Sequence, residues 1–133
     1  SATADDDVFV LDNVGRVLRF DLTGRAVQQW WMPEFTVGKP ERILKLRDGR
    51  IVVTDTHYHR IVLFDAAGQV ATMFGRKGEA PGEFIYPVAV TEDDRGRLYI
   101  CEYGGHDRVQ IFQSDGTYLT EFGSFGSGPG QFQ

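Results

Sequence analysis

One pattern occurs three times along this chain of 133 residues and constrains its fold more than any other feature. In each copy a short apolar run ends in an acid, a polar gap leads to an arginine and a second apolar run, and an aromatic residue closes the copy. The phenylalanines and glycines of the copies are separated by 44 and then 48 residues: Phe20, Phe64 and Phe112, and Gly24, Gly68 and Gly116. Two landmarks that share one register indicate a structural unit repeated three times.

Each copy is typical of β-strands, because its apolar runs are short and no stretch of useful length has the period of a helix. Glycine tolerates the positive φ of tight hairpins. This predicts hairpin turns at Thr23-Gly24, Asp48-Gly49, Ala67-Gly68, Arg95-Gly96 and Asp115-Gly116. The strands beside these turns are predicted at 17–20, 27–31, 43–46, 51–54, 88–91 and 98–101. Four short antiparallel strands in about 45 residues have the size of one β-propeller blade.

The fullest copy, from Ile51 to Pro87, carries His-Arg-Ile-Val-Leu-Phe-Asp, then Gly, Phe-Gly, and a glycine-rich join that ends in Gly-Glu-Phe before a proline. This order resembles the NHL repeat, and the resemblance extends over essentially the whole chain. It implies propeller blades, usually in six-bladed rings, found in protein-, RNA- and carbohydrate-binding modules and in a few metal-dependent lyases and lactonase-like enzymes. The first copy departs from the pattern: Gly15 precedes its arginine, Trp30-Trp31 replaces Phe-Gly, and the innermost strand is reduced to residues 1–4.

We therefore expect an all-β chain with a single domain, residues 1–133, and blades at approximately 1–35, 36–83 and 84–133. Three blades of a six-bladed ring cover about 180°, so two chains would close the ring as a homodimer. The open ends would otherwise expose apolar faces to water. We expect Val8, Val10, Phe20 and Trp30 at one end, and Ile100, Phe112 and Phe122 at the other. Phe132 of one chain is expected close to the N-terminus of the other.

The net charge and the distribution of apolar residues limit the kinds of partner that this chain is expected to bind. A net charge of −5 argues against a general binder of nucleic acid or anionic membranes, which needs a cationic surface. No apolar run approaches the roughly 18 residues of a membrane span, and residues 1–7 are acidic and small, unlike a signal peptide. The single cysteine, Cys101, can form neither an internal disulfide nor a thiolate metal site alone. The cellular compartment stays open.

An acid and an arginine recur in every copy: Asp12 with Arg16, Asp55 with Arg60, and Glu102 with Arg108. A residue needed once for chemistry rarely appears in every blade, whereas an ion pair that closes a turn is needed in each. We therefore predict structural roles for these six residues and no catalytic residues. Arg60 and Arg108 are expected to be largely buried and to donate to loop carbonyls as well as to Asp55 and Glu102. The repeated phenylalanines, with Trp30, Phe74 and Phe122, are predicted to form the core between neighbouring blades.

His57, Tyr58 and His59, beside Asp55, have donor groups suited to zinc or iron. The first copy offers only Asn13-Val14-Gly15 where the others have histidines, so three equivalent ligands on the ring axis are not available. His59 is expected to brace its turn. The glycine-rich joins lack the following helix and lysine of a phosphate-binding loop. No metal and no cofactor are expected.

In such a blade, the loop between its second and third strands and the join to the next blade emerge on one side of the disc, which we call the loop face. Its aromatic and hydrogen-bonding residues are Asn13, Phe35, Arg42, His57, Tyr58, Tyr86, Tyr103, His106 and Phe125. Such groups on a rigid scaffold are typical of a recognition surface. We predict that a protein or small-molecule ligand binds there, and the candidate binding residues are Arg42, His57, Tyr58, Tyr86, Tyr103 and His106.

Two functions from different classes follow. The leading hypothesis is a non-enzymatic NHL-type propeller module that self-assembles and binds through its loop face. The alternative is a metal-dependent lyase- or lactonase-like propeller enzyme whose site lies on the ring axis. Because propellers carry many unrelated functions, the fold alone does not decide between them.

Overall fold

The computed structural model describes residues 7–12, 14–34, 36, 40–103 and 107–123. Its strands are β1 Val8–Leu11, β2 Arg16–Phe20, β3 Ala26–Trp31, β4 Arg42–Lys45, β5 Ile51–Asp55, β6 Arg60–Phe64, β7 Val70–Phe74, β8 Tyr86–Glu92, β9 Leu98–Tyr103, β10 Arg108–Phe112 and β11 Tyr118–Phe122. A 3-10 helix, Thr56–Tyr58, joins β5 to β6. Over these ranges, no helix has the length and apolar character needed to cross a membrane.

The strands form three antiparallel sheets in which chain neighbours pair: sheet 1 is β1-β2-β3, sheet 2 is β4-β5-β6-β7 and sheet 3 is β8-β9-β10-β11. The predicted all-β propeller fold is confirmed, with one sheet for each copy of the repeat. The innermost strand expected at residues 1–4 lies outside the described residues. The register places Asp55 opposite Arg60 and Glu102 opposite Arg108, at the loop-face ends of their strands.

All five predicted turns have a glycine at positive φ, from 79° at Gly96 to 96° at Gly49. In the turn between the third and fourth strands of sheet 2, the N–H of Gly68 donates to the carbonyl of Asp65 at 3.0 Å. The pairing of β6 with β7 shifts by one residue at Phe64, beside this turn. A turn followed by a left-handed glycine and a bulge is a common three-residue hairpin loop. The same shift recurs at Phe20 and Phe112, so the repeat extends to backbone detail.

The core lies between the sheets, in two contact layers that we call seams. The seam between sheets 1 and 2 contains Val17, Trp30, Met32, Ile51, Val53, Val62 and Phe64. The seam between sheets 2 and 3 contains Leu46, Val52, Ile61, Leu63, Phe84, Val90, Leu98, Ile100 and Phe112. Successive side chains of a strand point to opposite faces, so a strand covered on both faces buries all of its side chains. This accounts for the burial of every residue of β5.

Where a seam exists, the predicted core positions Trp30, Phe64 and Phe112 are buried, and Phe74 is partly buried against the same core. The rings of Trp30 and Phe64 are 5.6 Å apart between their centroids, and those of Phe74 and Phe112 are 4.8 Å apart. Phe122, in contrast, is 48% exposed, so the predicted burial between blades does not extend to it within this chain.

Three residues expected at the open ends lie elsewhere. Trp30 faces sheet 2, and Ile100 and Phe112 face sheet 2 from the other side, so all three are buried inside the seams. The sequence expectation was wrong because it did not assign each strand position to one of the two faces. Val8, Val10 and Phe122, at 50%, 39% and 48% exposure, are apolar residues that the open ends do expose.

Asp93 anchors the turn between β8 and β9 and generates a prediction about pH. Desolvation works to raise the pKa of Asp93, but hydrogen bonds from the backbone and side chain of Arg97 outweigh it and lower that pKa to about 2. Since the folded pKa is below the ordinary value, the stabilisation is present above about pH 4 and is lost as the pH falls toward about 2. We expect Asp93→Asn to lower the melting temperature at pH 7 but not near pH 2, measured by circular dichroism.

The neighbouring Asp94→Asn serves as the control, because Asp94 is exposed. A reduction in melting temperature for Asp93→Asn that is equally large at both pH values would contradict the assigned role of its charge.

Candidate functional site

The repeated acid and arginine meet in all three sheets through the same atoms. The Nε of the arginine donates to a carboxylate oxygen at 2.6 Å for Arg16 and Asp12, 2.8 Å for Arg60 and Asp55, and 2.7 Å for Arg108 and Glu102. Exposure of the arginine side chain falls from 35% in sheet 1 to 11% in sheet 2 and 1% in sheet 3. The pairs therefore share one geometry but differ in burial.

Arg108 organises the join between sheets 2 and 3. Its guanidinium donates to the carbonyls of Glu79, Ala80 and Glu83, at 2.9, 3.2 and 2.7 Å. A buried guanidinium needs acceptors for all its donors, because an unpaired buried charge is strongly destabilising. This contact with loop carbonyls is the arrangement predicted for Arg108, and it fixes the path of a segment that ends at the loop face.

Gln110 belongs to the same network, and sequence reasoning missed it. This fully buried side chain donates to the Glu102 carboxylate at 2.6 Å and to the Glu83 carbonyl at 2.8 Å, and it accepts from the Gly82 N–H at 2.8 Å. The available signal was a glutamine in an apolar strand, at the position where the other copies have leucine and valine. Because both the nitrogen and the oxygen of this buried amide have hydrogen-bond partners, Gln110 further fixes the path of the join.

Arg60 and Asp55 occupy a different environment. Arg60 also donates to Glu34 at 2.9 Å, and its guanidinium lies 4.7 Å from the ring centre of Tyr58. Burial raises the pKa of Asp55, and the hydrogen bond from Arg60 offsets this only in part. Burial works to lower the pKa of Arg60, but its bonds to Glu34 and Asp55 outweigh it and raise that pKa. The loop carbonyls predicted as acceptors for Arg60 are not among its contacts within the described ranges.

These contacts predict a graded effect of removing the arginine. Arg108→Ala would leave Glu102 buried without its cation, so we expect a loss of about 3–5 kcal/mol in the free energy of unfolding. Arg60→Ala is expected to cost about 3 kcal/mol by the same mechanism. Arg16→Ala is the matched control, and as a more exposed pair it should cost about 1 kcal/mol or less. Urea denaturation measures all three.

If Arg60→Ala or Arg108→Ala unfolded at the wild-type urea concentration but lost a bound ligand, the arginine would belong to a binding site and the structural assignment would be wrong.

An aromatic cluster lies on the loop face. The ring of Tyr86 is central, with centroid distances of 6.1 Å to His57, 5.6 Å to His59 and 5.7 Å to Tyr103. Tyr103 is 56% exposed and His57 is exposed, whereas Tyr86 and His59 are partly buried. The structure thus brings together three predicted binding residues, His57, Tyr86 and Tyr103, and adds His59. We call these four residues the aromatic cluster.

Backbone contacts hold the cluster in place. His59 has φ 57°, the left-handed conformation, at the end of the 3-10 helix. Its Nδ1 donates to the carbonyl of Ile85, and the hydroxyl of Thr56 donates to the carbonyl of Pro87 at 2.7 Å. The loop of sheet 2 is therefore bonded directly to the first strand of sheet 3. His59 contacts the next sheet as well as its own turn, which sequence reasoning did not predict.

The other predicted binding residues lie apart or outside the described part of the chain. The hydroxyl of Tyr58 accepts from the N–H of Thr36 at 2.8 Å, and Arg42 is exposed at the start of β4. Outside the described residues lie Asn13, Phe35, His106 and Phe125, and also Phe132. Within the described ranges, no three His, Cys, Asp or Glu side chains form a group that could hold a metal ion.

A cavity of about 160 Å³ lies on the opposite side of the sheets, at the turns. Phe9, Trp30 and Ile51 supply its apolar lining, and Arg19, Arg47 and Asp48 are among its charged residues. Sequence reasoning missed it because its lining comes from two sheets and two separate turns. This cavity is an alternative binding site to the loop face, and a binding experiment has to distinguish the two.

A family model described as a 6-bladed beta-propeller matches residues 32–101, more than half of the chain. This chain belongs to the six-bladed β-propeller family. The human E3 ubiquitin-protein ligase NHLRC1 is 34% identical to this propeller chain over 58 residues, which are 44% of this chain and 15% of that protein. The predicted resemblance to NHL repeats is confirmed.

Solved structures show the same fold. A streptogramin B lyase superposes with a TM-score of 0.72 at 20% identity, over 91% of this propeller chain and 38% of the lyase. The virginiamycin B lyase from Staphylococcus aureus gives a TM-score of 0.72 at 21% identity, over 92% of this chain and 39% of the lyase. The chain thus spans only a part of each of these relatives, and the likeness to the two lyases concerns the fold alone.

Proposed function

We propose that this propeller chain is a non-enzymatic binding module that pairs with a second copy to complete a six-bladed ring and binds a protein or small-molecule ligand on its loop face. The observation that carries the binding role is the aromatic cluster of His57, His59, Tyr86 and Tyr103, with ring centroids 5.6 to 6.1 Å from that of Tyr86.

The chemistry of the cluster suits recognition. Tyrosine and histidine combine an apolar ring with a hydrogen-bonding group, so they bury area and fix orientation together. Tyr103 and His57 present their rings to solvent, while His59 and Thr56 tie the supporting loop to the backbone of sheet 3. A surface that is ordered before binding loses less entropy when a ligand arrives. A flat or partly apolar ligand with hydrogen-bonding groups fits this chemistry best.

The outer faces of sheets 1 and 3 support the proposed pairing of two copies. Sheet 2 is covered on both faces, and Val8, Val10 and Phe122 leave apolar surface at the outer faces of sheets 1 and 3. The family is six-bladed, and the described part of this chain supplies three sheets. Two copies related by a twofold axis along the ring axis would cover both faces at once.

We expect small aromatic and sugar fragments, titrated into ¹⁵N-labelled protein, to shift the amide signals of residues 57, 86 and 103. Tyr103→Ala should weaken fragment binding about tenfold, since an exposed aromatic contact commonly contributes more than about 1 kcal/mol. Val70→Ala is the control, because Val70 is 48% exposed but lies on the outer strand of sheet 2. Shifts centred on Asp48, Gly49 and Ala66 would instead place the ligand in the cavity at the turns and overturn the proposal.

The alternative from sequence, a metal-dependent lyase- or lactonase-like enzyme with its site on the ring axis, stays a prediction. Elemental analysis of the purified protein separates the two functions. Zinc, calcium or iron at one equivalent per chain or per ring would favour the enzyme. Fragment binding at the aromatic cluster in metal-free protein would favour the binding module.

A further inference from the structure

Both seams inside the chain contain the same aromatic contact. Trp30 on β3 packs against Phe64 of sheet 2 with ring centroids 5.6 Å apart. Phe74 on β7 packs against Phe112 of sheet 3 with centroids 4.8 Å apart. In each case an aromatic residue of the outermost strand crosses to a phenylalanine of the next sheet, at equivalent positions of the repeat.

The turn glycine of the next sheet completes this contact. A Cβ added at Gly68 would lie 2.9 Å from ring atoms of Trp30, and a Cβ at Gly116 would lie 3.0 Å from the ring of Phe74. Real Cβ atoms do not approach ring carbons so closely without displacing them, because carbon atoms attract best at about 3.5–4.0 Å. The ring therefore lies on a surface that only glycine provides. We call this set of ring, glycine and phenylalanine the aromatic–glycine seam.

The two halves of a third such seam are present at opposite ends of the described chain. Phe122 occupies the position in the third copy of the repeat that Trp30 and Phe74 occupy in the first two, and it is 48% exposed. Gly24 stands where Gly68 and Gly116 stand, and nothing lies within 4 Å of a Cβ built on it. Phe20, the equivalent of Phe64 and Phe112, is only partly buried, whereas those two are 0% and 1% exposed. Within the described residues, Phe122 is a ring without a glycine surface to pack on, and Gly24 is a glycine surface without a ring.

A polar contact points to the same arrangement. Between sheets 2 and 3, Arg50 donates from Nε to Asp48 at 2.9 Å and from Nη1 to the carbonyl of Ser114 at 3.1 Å. Arg97 is its equivalent in sheet 3, and its Nε donates to Asp93 at 2.6 Å. Leu22 is the equivalent of Ser114 in sheet 1 and is 64% exposed. Arg97 can therefore reach the Leu22 carbonyl of a neighbouring sheet 1 as Arg50 reaches Ser114.

We propose that a second copy of this chain forms the third seam: Phe122 of one copy packs on Gly24 and Phe20 of the other, with Arg97 donating to Leu22. This inference rests on the pairing in the proposed function and names the residues that make it. A twofold axis along the ring axis places both ends of each copy in such a contact simultaneously. The closed ring then contains six sheets and six equivalent seams.

The test compares two seam variants with two matched controls. Phe122→Ser removes the exposed ring, and Met73→Ser is its control, because Met73 is also 48% exposed but lies on the outer strand of sheet 2. Gly24→Ala adds the Cβ that the seam excludes. Gly49→Ala is its control, because Gly49 has the same left-handed conformation, φ +96° against +84°, and equally open surroundings.

Sedimentation equilibrium over a concentration series gives the dimer dissociation constant of each protein. The wild type is expected at about 30 kDa, twice the 15.0 kDa of one chain. Phe122→Ser and Gly24→Ala should raise the dissociation constant about tenfold or more, while both controls stay within about twofold of wild type. Circular dichroism melts establish that each variant is folded.

Cys101 supplies a second readout that needs no substitution. It stands in sheet 3 where Thr54 stands in sheet 2, and Thr54 is fully buried under the seam with the next sheet, whereas Cys101 is only partly buried. The reaction of the Cys101 thiol with Ellman's reagent should therefore be slow in the dimer and accelerate on dilution. A rate that does not change while the mass falls from dimer to monomer overturns the seam.

The failures of the two proposals are distinguishable. A wild-type chain that stays at 15.0 kDa up to about 100 µM overturns both the pairing and the seam. A dimer whose dissociation constant is unaffected by Phe122→Ser and Gly24→Ala overturns the seam but leaves the pairing intact. Loss of the dimer in the control variants as well would show that general stability, rather than the seam, governs association.

Discussion

The structure depends on one constraint: each sheet is apolar on both faces and must be covered by a neighbour on each side. Sheet 2 meets this requirement, because Ile51 and Val53 of β5 face sheet 1 while Val52 faces sheet 3, and all are buried. Sheets 1 and 3 each have one face covered by another of the described sheets. In such repeat architectures, stability comes from intrinsic sheet stability plus contacts between neighbours, so the ends are where further association is favoured.

Polar groups inside the propeller position the surface that faces outward. Arg108, Glu102 and Gln110 hold the join through its backbone carbonyls and N–H groups, and that join leads directly into Tyr86. A buried network of this kind is costly unless every member is satisfied, and once satisfied it rigidifies what it contacts. The aromatic cluster is therefore supported by a network whose three side chains, Arg108, Glu102 and Gln110, are buried, and this network links the repeated arginine to the proposed binding face.

Sequence predicted the features that depend on local geometry. The turn glycines were predictable because positive φ strongly favours glycine, and the sheets followed from the spacing of the repeat. The faces of Trp30, Ile100 and Phe112 were not, because a one-residue difference in register exchanges the two faces of a strand. Gln110 was missed because its partners are backbone atoms of a distant join, and the His59 contact with Ile85 likewise forms only when two sheets meet.

The central claim is that the contact between Trp30 and Gly68 recurs between copies as a contact between Phe122 and Gly24. The most direct measurement is an isotope-filtered NOE spectrum of an equimolar mixture of ¹³C-labelled and unlabelled chains, which detects contacts between copies only. We expect NOEs from the Phe122 ring protons of one copy to the Gly24 α-protons of the other. A dimer whose intermolecular NOEs connect other surfaces, with none at Gly24, would contradict this account.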